Sequence, residues 1–69
     1  MRFEKIRNLR EDHDYTQEEI AKILFVSQAT YSDYESGKIN IPIEAFIRLA
    51  QFYGTSIDYL VGLTEEEKD

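Results

Sequence analysis

Residues 16–38 read TQEEIAKILFVSQATYSDYESGK, and this stretch decides the fold. It opens with a capping box: Thr16 can accept from the amide of Glu19 while Glu19 reaches back to the amide of Thr16. A helix therefore starts at Gln17 and runs to about Leu24, burying Ile20, Ile23 and Leu24. Ser27 is a second N-cap only three residues after Leu24, which leaves room for nothing but a tight turn. The next helix continues to about Ser36, where Gly37 supplies a left-handed C-terminal residue. On it Tyr31 and Tyr34 share one face, and Gln28, Ala29, Ser32 and Asp33 share the other.

Two helices joined by so short a turn cross steeply, at about 90–120°. Such a crossing needs a small residue where the backbones meet and apolar side chains that pin the corner. Ala21 meets the first need; Ile20, Leu24, Val26, Tyr31 and Tyr34 meet the second. This is a helix-turn-helix, with its second helix held away from the body and its N-terminal end free to enter a major groove.

The flanks extend the same pattern. Upstream, Phe3, Ile6 and Leu9 predict a helix over about 2–13. Downstream, Pro42 precedes a helix over about 43–53 that places Ile43, Phe46, Ile47, Leu49 and Ala50 on one side and stops at Gly54. Ser56 caps a last short helix, IDYLV, ended by Gly62. No window alternates as a strand does, so the fold class is all-α, with five short helices. Residues 1–63 form one domain and residues 64–69 an acidic, frayed tail.

Composition bounds the function. A 69-residue chain makes one domain with one small core. It has no cysteine, so neither a disulfide framework nor a thiolate site holds it. The longest run of aliphatic and aromatic residues, ILFV, is far short of the ~20 that span a bilayer. With no apolar leader at the N-terminus, a cytoplasmic location is expected. The formal charge of −6 weighs against a polyanionic partner, although EEEKD at residues 65–69 supplies half of it. Enzymes need a nucleophile with its base, or converging carboxylates. One His at a helix end, no Cys and no Gly-rich phosphate loop predict no catalysis, no metal and no cofactor. His13 suits the dipole at the end of the first helix, and Arg2, Lys5 and Arg7 read as a solvated face.

TQEEIAKILFVSQATYSDYESGK and NIPIEAFIRLAQFYGTSIDYLVG together resemble the Cro/repressor-type helix-turn-helix proteins, also called the XRE family, with a lambda-repressor-like fold. The resemblance covers roughly residues 3–63. It implies sequence-specific binding of double-stranded DNA by a small transcriptional regulator, a repressor, acting as a homodimer on a palindromic operator. By the same resemblance, Gln17 at the start of the second helix contacts a phosphate, and Gln28, Ala29, Ser32 and Asp33 face the groove. There a Gln can pair bidentately with adenine, an Ala can touch a thymine methyl, and an Asp can accept from cytosine. Ser27, Thr30, Lys38 and Asn40 match positions near the DNA backbone, and Arg10 and Glu35 match a structural pair tying the first helix to the third. The dimer surface is expected in the last helix and its exit, around Ile57, Tyr59, Leu60 and Leu63.

Two residues depart from the family pattern. Phe25 stands in the turn where Gly is usual, so the chain either bears a left-handed Phe or relaxes the turn and covers the corner with the ring. Asp33 puts a carboxylate where a basic or amide side chain is common. The alternative reading, from an acidic face, is a protein-interaction module on the same fold that has lost DNA affinity.

Overall fold

The computed structural model describes residues 4–62, which form α1 (Glu4–Asp12), α2 (Gln17–Leu24), α3 (Gln28–Ser36), α4 (Ile43–Tyr53) and α5 (Ile57–Leu60). Phe3, Leu63 and the acidic tail lie outside the described residues. Among the described residues no helix is long and apolar enough to cross a membrane.

The local signals that start and stop the helices act as their chemistry requires. Thr16 accepts from the Glu19 amide at 3.1 Å, and the Glu19 carboxylate takes the Thr16 amide at 2.8 Å. Ser27 and Ser56 cap α3 and α5 by accepting from Thr30 and Tyr59. Each side chain thus satisfies an amide that the helix itself leaves without a partner. Gly37 and Gly54 take left-handed conformations at the ends of α3 and α4.

Phe25 also adopts the left-handed conformation, at φ 59° and ψ 41°. The turn explains why. The Val26 amide reaches back to the Ala21 carbonyl at 3.0 Å, closing the C-terminus of α2, and that closure needs the residue before Val26 to reverse the chain. The turn therefore does not relax, and the ring does not cover the corner. Phe25 is 80% exposed, with the guanidinium of Arg48 4.9 Å from its ring centroid.

The core collects Ile6 and Leu9 of α1, Ile20, Ala21 and Leu24 of α2, Tyr31 and Tyr34 of α3, four residues of α4, and Leu60 of α5. α2 packs mainly on α3, with Ala21 buried in the corner. Tyr31 and Tyr34 meet edge to face, with ring centroids 6.5 Å apart. Three expectations shift. Ile23 is only half-buried. In α4 the core-facing set is Ala45, Phe46, Leu49 and Ala50, whereas Ile43 and Ile47 are 58% and 42% exposed. At about 100° per residue, Ile43 and Ile47 fall roughly 90° or more from the centre of that stripe. Finally, Leu60 is a core residue at 1% exposure, while Ile57 and Tyr59 pack half-buried against the core.

Candidate nucleic-acid interface

α3 is held by one face and shows the other. Gln28 and Ala29, at its N-terminal end, are exposed, as are Lys38 and Asn40 in the loop after it. Ser32 and Asp33 are half-buried on the flank. Ser27 and Thr30 are turned towards each other: the Ser27 hydroxyl accepts from the Thr30 amide at 3.1 Å and donates to the Thr30 hydroxyl at 3.0 Å. Their side chains fix the start of α3.

Behind this surface a polar network ties three helices together. The Arg10 guanidinium grips Glu35 with two bonds, Nε to Oε2 at 2.7 Å and Nη2 to Oε1 at 3.2 Å. A third donor, Nη1, reaches the Tyr15 carbonyl at 3.0 Å. Gln17 adds its side-chain amide to Glu35 Oε1 at 3.2 Å. The structural pair expected from the sequence is thus present, and it has a third member. Burial pushes the Glu35 carboxyl up, but the bonds from Arg10 and Gln17, helped by the neighbouring Tyr31 hydroxyl, outweigh it and hold the group below the usual carboxylate range. Those same bonds to Glu35 push Arg10 up, against the cost of its burial. Burial raises the Tyr31 phenol further, since ionising it beside a carboxylate is doubly unfavourable.

Gln17, Ser32, Arg7 and the Arg10–Glu35 pair line one cleft between α1, the start of α2 and α3. Its charges are balanced. Arg10 is spent on Glu35, and Arg7 is paired with Glu11 at 3.2 Å on the solvent side. In α3 and the loop after it, Lys38 is basic and exposed, and Asp33 is acidic and half-buried. His13 sits just past α1, where its Nδ1 meets the Leu9 carbonyl at 2.8 Å and its ring lies 5.3 Å from that of Tyr53. It serves the helix end. Among the described residues no group of His, Asp and Glu is placed to hold a metal ion.

Sequence reasoning missed the role of Gln17 in the Glu35 network and the stacking of Arg48 on Phe25. Neither carries a local signal, because each partner lies far along the chain.

A family model described as Helix-turn-helix matches residues 6–60. The chain belongs to the helix-turn-helix family. Its branch is the Cro/repressor-type, or XRE, group. It is 42% identical over 65 residues to the cryptic phage CTXphi transcriptional repressor RstR of Vibrio cholerae, covering 94% of this chain and 59% of that protein. It is 32% identical over 63 residues to the HTH-type transcriptional regulator YobD of Bacillus subtilis, covering 91% of this chain and 56% of that protein. The crystal structure of a transcriptional regulator from Listeria innocua superposes with a TM-score of 0.84 at 38% identity, covering 91% of this helix-turn-helix chain and 59% of that one. The chain thus spans a little over half the length of the relatives it matches.

Proposed function

We propose that this helix-turn-helix domain binds double-stranded DNA sequence-specifically as a transcriptional repressor, with α3 in the major groove. The observation that carries the reading is the division of α3: Tyr31, Tyr34 and Glu35 are buried, while Gln28 and Ala29 stand exposed at its N-terminal end. The name of RstR, a transcriptional repressor, supports the direction of regulation. Gln28 is the principal base reader, bonding bidentately to adenine, and Ala29 lies against a thymine methyl. Asp33 accepts from a cytosine amino group, and Ser32 tolerates several bases. Gln17 has one amide hydrogen committed to Glu35 and a second for a phosphate, beside the open amides at the start of α2. Lys38 and Asn40 contact the backbone on the other side, and Ser27 and Thr30 hold the α3 N-terminus against it. One helix of this length reads few bases, so two copies occupy a palindromic operator with half-sites about 34 Å apart. The acidic balance keeps non-specific affinity low, which leaves specificity to the base contacts.

The test starts with selection of a preferred site from random duplexes. A salt titration of that site and of a random duplex follows, for the parent and for Asp33→Asn. The expected outcome is a specific site whose affinity falls with salt. Asp33→Asn should raise affinity for both duplexes and lose selectivity at one base pair. Absence of binding to any duplex at low salt would overturn the proposal.

A further inference from the structure

α4 presents a face that its own fold does not use. Ile43 and Ile47 stand one turn apart and are 58% and 42% exposed, while the opposite side of the same helix fills the core. Glu44, Ile47, Arg48 and Gln51 surround a shallow hollow on this face, and Phe25 adjoins it through its contact with Arg48. An exposed apolar stripe rimmed by charges is the pattern of an interaction surface. A lone exposed Ile would need no explanation; two in register, next to a Phe that is 80% exposed, do.

The charges identify the occupant. Glu44 and Arg48 are also one turn apart, but Arg48 makes no ion pair among the described residues and lies over the Phe25 ring instead. When two α4 helices pack antiparallel about a two-fold axis passing between these positions, each Glu44 faces the other copy's Arg48. The Ile43–Ile47 stripes then cover one another. The face is complementary to itself, and self-complementarity is what an isologous two-fold interface requires.

We infer that this α4 face is where a second copy of the chain docks, Ile43 and Ile47 forming the contact and Glu44 pairing crosswise with Arg48. The inference deepens the proposed function, since it supplies the surface for the two copies on the operator. An α4 of 11 residues is only about 16 Å long. A helix that short offers a small contact beside the ~800 Å² per partner of a stable interface, so the free protein associates weakly and the contact acts mainly between neighbours on DNA.

The test uses charge exchange in the full chain, because the exposed positions allow the variants to keep their fold, as melting curves will verify. Glu44→Arg places two arginines opposite one another, and Arg48→Glu places two glutamates. Each should weaken self-association, read by sedimentation at high protein concentration, by about tenfold or more. The double variant Glu44→Arg/Arg48→Glu should restore it. An equimolar mixture of the two single variants should restore it as heterodimers, a result that general loss of stability cannot produce. On duplexes carrying one or two inverted copies of the selected half-site, the single variants should bind one half-site as the parent does and lose cooperativity on two. Retention of parental self-association and cooperativity by both single variants would overturn the interface, as would a double variant as weak as the singles. Failure to bind any duplex would overturn the DNA reading, while sedimentation would still judge the interface.

Discussion

Replacing Glu35 by Ala tests whether the network behind α3 determines both stability and binding. The substitution removes the acceptor of two guanidinium bonds and of the Gln17 amide. The side chains of Arg10 and Glu35 are 13% and 6% exposed, so Arg10 is left in a largely dry position with the Tyr15 carbonyl as its remaining partner. Removing one member of a buried ion pair costs about 3–5 kcal/mol; the Tyr15 bond and residual solvent place this case near the low end, at about 3. A domain of this size has only about 3–10 kcal/mol to lose, so the melting temperature should fall by about 12–24 °C. Arg10→Ala should cost a similar amount, and the double variant only slightly more than either, with about 2–3 kcal/mol of coupling. Glu35 is held below the ordinary carboxylate range, so its contribution is complete above the unfolded value of about 4.3. It is lost as pH falls through the lower folded value, and Glu35→Ala should flatten the stability profile in that acid window. The assay is urea unfolding followed by circular dichroism, for the four proteins of the cycle at neutral and acidic pH. Additive single costs, a loss under 1 kcal/mol, or an unchanged acid slope would refute the reasoning.

Gln28→Ala should lower affinity for the selected operator by about 1–3 kcal/mol and relax preference at one base pair, with no change in melting temperature; titration against a panel of single-base operator variants checks it. Tyr34→Ala removes a ring that is 5% exposed and should cost about 3–5 kcal/mol, leaving the protein largely unfolded at room temperature by circular dichroism. At position 25, Phe→Ala keeps the left-handed strain and loses the Arg48 contact, whereas Phe→Gly relieves the strain; the Gly variant should be about 1 kcal/mol more stable than the Ala variant by thermal melting.

What could be read from the sequence was what depends on neighbours along the chain. Thr16, Ser27 and Ser56 cap helices because a hydroxyl reaches an amide only three residues ahead, and that distance is written in the order of residues. Helix phase is a weaker signal. An Ile at 43 or 47 fits an amphipathic stripe as well as Ala45 does, and only the direction from which α2 and α5 approach α4 decides which set is covered. Hydrophobicity then favours the wrong residues, because the packed side uses two alanines for close approach and leaves two isoleucines in water. The site divides the same way. The outward placement of Gln28 and Ala29 follows from the positions of the tyrosines within one helix. The bond from Gln17 to Glu35 spans 18 residues and needed the fold to bring it about. An apolar residue on the solvent side of a helix costs solubility without aiding the core, so the misfit between pattern and burial in α4 points outward, to a contact that the isolated chain does not make.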